Sequence, residues 1–176
     1  MYPRGAPLFV IARTLFVTVM VLVSIHRKNM VHGDVNAGHI YLSNENVCKL
    51  GYGPTVYESM EVKETPSKFL HLEDISFWGA SPKVCDDNVV HTSTSDISRV
   101  GITGLELAIR NICVKNQMDL FLIINGATVV WEDSVFANED FQIFVDECLK
   151  WDLELRPTSI INASSIFPEQ QSWTLS

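Results

Sequence analysis

The sequence predicts a mainly α-helical domain with one small β-hairpin. Two long segments, Leu8 to Arg27 and Asp96 to Ile109, are apolar on most of their sides, which is typical of buried helices. Between them, the segment Ser43 to Asn46 has the composition of a hairpin turn and separates two short β-type runs. A chain of 176 residues is long enough to bury one core of this kind.

The composition excludes several functions. A net charge of −8 and the lack of a Lys/Arg run argue against nucleic-acid binding, which needs clustered positive charge. The four cysteines have neither C-x-x-C spacing nor a His at metal-ligand distance, so we expect reduced thiols of an intracellular protein and no zinc site. They are Cys48, Cys85, Cys113 and Cys148.

The remaining elements follow from caps and periodicity. After a long irregular loop from Gly51 to Val90, Ser95 is predicted to cap the helix that begins at Asp96. Two further predicted helices are short, Met118 to Ile124 and Pro157 to Phe167. Between these two, Asn138 caps a helix with an amphipathic stripe. That stripe consists of Phe141, Phe144, Val145, Cys148 and Leu149.

The first apolar segment has two interpretations. Leu8 to Ile25 is about long enough to span a bilayer, and Arg4 precedes it as in a signal anchor. Against this, Arg13 would lie inside the apolar stretch, where a charge is costly. A core helix is therefore favoured over a membrane segment, and a membrane-anchored remnant stays as an alternative.

The order of the motifs resembles a known fold. The chain is similar to the C-terminal lobe of the protein-kinase family in the order of its segments. These are a helix, the segment VHGDVNAGHIYL, a hairpin, a long loop, SDISRVGITGLELA and finally FQIFVDECLKWDLELRPT. The resemblance covers Leu8 to Phe167, which leaves 1–7 and 168–176 as tails. No Gly-rich loop or strand Lys precedes Leu8, so the N-terminal lobe is expected to be absent, as in a truncated product or fragment.

Within the kinases, these sequence motifs most resemble those of the sterile-twenty-related group and its STRAD-type adaptor pseudokinases. His39 stands where active kinases carry Asn, and Ser81-Pro82 follows Trp78. The NQM segment before a short helix is a further similarity. This subgroup implies a catalytically inactive protein.

The catalytic-loop positions are vestigial by this resemblance. Asp34, in His32-Gly33-Asp34, matches the base that accepts the substrate hydroxyl proton, but Gly33 replaces the usual Arg. Asn36 stands in place of the Lys that steadies the phosphate. His39 occupies the metal-binding Asn position, and imidazole is a poor ligand for Mg²⁺.

The second metal-binding position also lacks a carboxylate. With one deletion the D-F-G position is occupied by Gly51, Tyr52 and Gly53, and without a gap by Tyr52, Gly53 and Pro54. We therefore expect no bound metal, no catalytic residue and no cofactor. ATP binding is expected only if a longer form supplies an N-terminal lobe.

Four other residues take structural or binding roles by resemblance. Asp96 matches the buried Asp that accepts hydrogen bonds from the catalytic-loop backbone, with simple helix capping as the alternative. Lys83 replaces the Glu that pairs with the Arg matching Arg156, so that pair should not form. Trp173 is a hypothetical partner anchor in the C-terminal tail, with plain packing as the alternative.

The resemblance implies an adaptor that activates or scaffolds a partner Ser/Thr kinase. The implied partners are a kinase of the liver-kinase-B type and a helical-repeat scaffold, in the cytoplasm and also the nucleus. The alternatives are a divergent sterile-twenty-group Ser/Thr kinase that binds ATP, for which Asp34 is the one favourable residue, and a non-functional kinase fragment.

Overall fold

The described part of the chain contains three α-helices, two small sheets and one 3₁₀ turn. The computed structural model describes residues 5–43, 47–51, 57–58, 92–108, 138–150 and 155–157. Several predictions fall outside these ranges: the helices at 118–124 and 158–167, and the site residues Tyr52, Gly53, Lys83 and Trp173. The mainly helical character and the hairpin are confirmed.

The first helix, Leu8–His26 (α1), ends one residue before the predicted position. One face is buried in the core and carries Ile11, Leu15 and Leu22, whereas Phe9 and Met20 are exposed. By length and composition α1 is also able to cross a membrane. In the structure its buried face packs against the second helix, as in a core helix of a globular domain.

Two antiparallel sheets of two strands each follow. Strand Met30–Val31 (β1) pairs with Tyr57–Glu58 (β4), and Ile40–Leu42 (β2) pairs with Cys48–Leu50 (β3) as the predicted hairpin. A 3₁₀ turn, Ala37–His39, leads directly into β2. The β1–β4 pair was not predicted, because two-residue strands leave no alternating pattern in the sequence.

The central helix, Ser93–Ala108 (α2), begins three residues earlier than predicted. The capping residue is Thr92 and not Ser95: the Thr92 hydroxyl accepts a hydrogen bond from the Ser95 N–H, and the Ser95 hydroxyl accepts one from the Thr92 N–H. This reciprocal arrangement is a capping box with Ser in place of the usual Glu or Gln. The prediction failed because Ser93, Thr94 and Ser95 are all plausible capping residues.

The third helix, Glu139–Cys148 (α3), matches its prediction. The Asn138 side chain accepts a hydrogen bond from the Phe141 N–H at 2.9 Å, which satisfies one of the unpaired amides of the first turn. The predicted stripe is buried. It packs on α2 where Gly101 lies, and a side chain there would come within 2.7 Å of Cys148 Cβ, so the close approach of the two helices requires glycine.

The core residues of α2 can be tested by truncation. Ile102 is 3% exposed and Ile143, on α3, is 52% exposed. We expect Ile102→Ala to lower the free energy of unfolding by about 2–5 kcal/mol, because it removes buried methyl groups and leaves a cavity. The matched control Ile143→Ala should change it by less than about 0.5 kcal/mol. Urea denaturation measures both, and equal effects would contradict the described packing.

Candidate functional site

The candidate site is the loop between β1 and the 3₁₀ turn, called here the catalytic-position loop (residues 32–36). Val31, directly before the loop, and Val35, within it, are fully buried, and Val35 packs in the hydrophobic core. Gly33 has φ of +73°, in the left-handed region that glycine adopts at no steric cost. The sequence difference at Gly33 therefore has a conformational consequence beyond the loss of a positive charge.

Asp96, on the first turns of α2, holds this loop through backbone hydrogen bonds. Its Oδ2 accepts from the His32 N–H at 2.7 Å, and its Oδ1 accepts from the Gly33 N–H at 2.9 Å. His26 Nε2, at the end of α1, lies 2.9 Å from the same Oδ2. The Asp96 side chain is completely buried, so these donors supply the hydrogen bonds that a buried carboxylate needs. The side chain that caps α2 is that of Thr92, which accepts from the Ser95 N–H, whereas the Asp96 oxygens accept from the loop.

Asp34 is buried and both of its carboxylate oxygens are engaged. Oδ1 accepts hydrogen bonds from Arg99 Nη1 at 3.2 Å and from Asn36 Nδ2 at 3.0 Å. Oδ2 lies 3.3 Å from His39 Nδ1, which also contacts the main-chain oxygen of Asp34 at 2.9 Å. Three side chains predicted to be vestigial, Asp34, Asn36 and His39, thus lie together.

His32 is a neutral ring that stabilises the loop through two hydrogen bonds. Its Nδ1 accepts a hydrogen bond from the Asp34 N–H at 3.2 Å, so the proton lies on Nε2, which donates to the Gly51 carbonyl oxygen at 2.8 Å. Burial lowers the pKa of His32 below its ordinary value, and the hydrogen bond to Gly51 partly opposes this effect. Through these two bonds His32 joins the loop to the end of β3.

Glu106, in the last turn of α2, bonds to the residue directly after the loop. Its Oε2 accepts a hydrogen bond from the Ala37 N–H at 2.9 Å. Burial raises the pKa of the Glu106 carboxyl, and the bond from Ala37 partly opposes the rise.

Arg156 is buried and bonds to main-chain oxygens. Its Nε donates to the Lys150 carbonyl oxygen after α3, and its Nη1 donates to the Thr94 carbonyl oxygen at 3.3 Å. Arg156 therefore ties the segment after α3 to the beginning of α2. Its predicted relationship to Lys83 lies outside the described residues.

Two residues that contact the loop or the residue after it, Arg99 and Glu106, were not predicted from the sequence. A signal for Arg99 was present: a cation in a helix that is otherwise buried requires an anionic partner. The sequence alone did not identify that partner, because Asp34 lies 65 residues away. Glu106 gave no local signal, since a Glu near a helix end is ordinarily exposed.

Comparisons with known proteins give kinases as relatives. The chain is 29% identical to the serine/threonine-protein kinase Nek9 of Xenopus laevis over 82% of its own length and 15% of that protein. It is 31% identical to the human serine/threonine-protein kinase TAO2 over 78% of its length and 11% of that protein. The serine/threonine-protein kinase KIC1 of Saccharomyces cerevisiae is 31% identical over 81% of the chain and 13% of that protein.

These relatives support a protein-kinase relationship that extends over most of the chain. No family model matches it. The chain spans between 11% and 15% of the length of these three relatives, so it corresponds to a small portion of each.

The side chains around Asp34 do not fit the Mg²⁺ that a kinase relationship implies. Both Asp34 oxygens already have nitrogen partners, and one of those partners, Arg99, is a fixed cation. Mg²⁺ prefers several hard oxygen ligands in octahedral geometry. In the described segments, no group of three or more His, Cys, Asp or Glu side chains is arranged to hold a metal ion.

The lowered pKa of His32 predicts a specific pH dependence of stability. The unfolded chain takes up a proton near the ordinary value of 6.5, whereas the folded ring resists it. The contribution of neutral His32 is therefore present above pH 6.5 and is lost as the pH falls through the lower folded pKa. In His32→Asn this titration is absent, so the stability gap between the parent and the variant should narrow from pH 7.5 to about 5.

Urea denaturation of both proteins across this pH range measures the gap. Groups common to the two proteins cancel in the difference, so the comparison isolates His32. A gap that stays constant or widens toward acid would contradict the neutral, buried ring.

Proposed function

We propose that this chain is the C-terminal lobe of a kinase-like fold and functions as a catalytically inactive adaptor. The observation that carries the proposal is the state of Asp34, which matches the catalytic base by sequence. Its Oδ1 accepts hydrogen bonds from Arg99 and Asn36, and its Oδ2 lies 3.3 Å from His39 Nδ1.

A base engaged in this way is poorly suited to phosphotransfer. A general base must reach the proton of the incoming hydroxyl, and phosphoryl transfer relies on metal ions and positive charge placed at the phosphate. Here the positive charge of Arg99 lies against the carboxylate inside the core. Electrostatic stabilisation is usually the largest catalytic contribution, so losing it should abolish turnover.

The retained features favour a binding role. The bonds from Asp96 and Glu106 to the loop backbone preserve the folded lobe, although its site lacks the expected chemistry. A lobe of this kind offers a surface to another protein. By resemblance to STRAD-type adaptors, the proposed partners are a Ser/Thr kinase of the liver-kinase-B type and a helical-repeat scaffold, in the cytoplasm.

A divergent Ser/Thr kinase is the second candidate. The printed names of the relatives are those of kinases, and Asp34 retains the carboxylate that such an enzyme needs. The two candidates differ in whether the protein transfers phosphate from ATP with Asp34 as the general base.

A phosphotransfer assay separates the two candidates. The full chain, incubated with labelled ATP, a generic protein substrate and Mg²⁺ or Mn²⁺, should transfer no more phosphate than the Asp34→Asn variant. The physical reason is that Asp34 is buried and contacts Arg99, Asn36 and His39. Activity that disappears in Asp34→Asn would contradict the proposal, because a contaminating kinase does not respond to that substitution.

The adaptor role itself is tested by stimulation of a partner. Purified chain is added to a liver-kinase-B-type kinase with and without its helical-repeat scaffold, and the partner's activity is measured. Stimulation that survives in Asp34→Asn supports a non-catalytic mechanism, and the absence of both binding and stimulation would contradict the adaptor assignment.

A further inference from the structure

Arg99 is the most unusual residue of the central helix. It is completely buried in a helix whose other core-facing side chains are mainly apolar or small, and a buried guanidinium is costly without an anion. Its Nη1 donates to Asp34 Oδ1 at 3.2 Å, and the Asp34 side chain is only 9% exposed. The ion pair is therefore internal to the fold, and it joins α2 to the catalytic-position loop.

The position of Arg99 follows from the helix geometry. Asp96 and Arg99 are three residues apart, so they lie on neighbouring positions of one face of α2. Asp96 accepts the backbone N–H groups of the loop, while Arg99 donates to the side chain of the next loop residue. α2 thus places the Asp96 carboxylate and then the Arg99 guanidinium against three consecutive loop residues, 32–34.

We propose that Arg99 is a fixed internal counter-cation of Asp34, which neutralises the buried carboxylate and holds the catalytic-position loop without a bound ion. A divalent cation near a carboxylate neutralises its charge, and the fixed guanidinium does the same without leaving the protein. The pair stabilises the loop in the absence of metal and nucleotide, and it excludes a metal from Asp34. This inference deepens the proposed function and rests on its assignment of the loop.

A double-mutant cycle tests the pair directly. Arg99→Met keeps most of the side-chain length without its charge, and Asp34→Asn keeps the shape of the carboxylate. Either single change leaves one buried charge without its main partner, whereas the double change removes both charges. We expect the double variant to be more stable than the two single effects together predict. Its unfolding equilibrium constant should be lower, by about tenfold or more, than the value calculated from additive single effects.

The exposed Arg13 on α1 supplies the matched control. Arg13→Met combined with Asp34→Asn should give additive effects, because solvent screens the charge of an exposed arginine. Additive effects for Arg99 and Asp34 as well would overturn the proposal. If Arg99→Met alone does not fold, the added Asp34→Asn change should restore folded protein by circular dichroism, and a double variant that stays unfolded would overturn it.

Access of a metal to Asp34 gives an independent measurement. Millimolar Mn²⁺ should shift the melting temperature of the parent and of Asp34→Asn equally, because Arg99 already neutralises the carboxylate. A larger stabilisation of the parent would show that Asp34 is open to a cation and would overturn the proposal. The cycle measures stability alone, so its failure removes the Arg99 assignment and leaves the adaptor function standing. Asp34-dependent phosphotransfer, in contrast, removes the proposed function.

Discussion

The buried carboxylate of Asp96 is the interaction on which the described structure depends. It receives two backbone N–H groups from the loop and contacts a side chain at the end of α1, although these residues lie between 63 and 70 positions away in the sequence. Hydrogen bonds to a buried charge contribute about 1.5–3 kcal/mol each, and leaving such a group unsatisfied is costly. The loop, α1 and α2 are thus held in one arrangement.

The central helix supplies charged contacts along the whole length of the loop. Asp96 holds its beginning, Arg99 contacts Asp34 in the middle, and Glu106 accepts the Ala37 N–H just beyond its end. All three contacts are made by groups within the fold. The proposed non-catalytic role rests on the second of these contacts, the one between Arg99 and Asp34.

Helices and the hairpin were predictable because their signals are local. The stripe from Phe141 to Leu149 and the Asn138 cap are visible within a dozen residues, and the structure confirms both. The beginning of α2 was predicted wrongly because several adjacent residues are suitable caps. Arg99 was missed for a different reason: its partner is distant in sequence, and only the packing of α2 against the loop brings them together. The geometry of the site therefore depends on tertiary contacts that the sequence does not show. The family resemblance predicted some of the residues in the site but not their contacts.

Amide hydrogen exchange in Asp96→Asn tests the central claim most directly. The amide side chain keeps one acceptor oxygen but replaces the other with a donor, so one loop N–H loses its partner. Exchange at His32 or Gly33 should become at least about tenfold faster, because a hydrogen bond to a charged group contributes about 1.5–3 kcal/mol. The matched change Asp140→Asn, at an exposed position of α3, should leave these amides unchanged. Unaltered exchange at both His32 and Gly33 in Asp96→Asn would contradict the account.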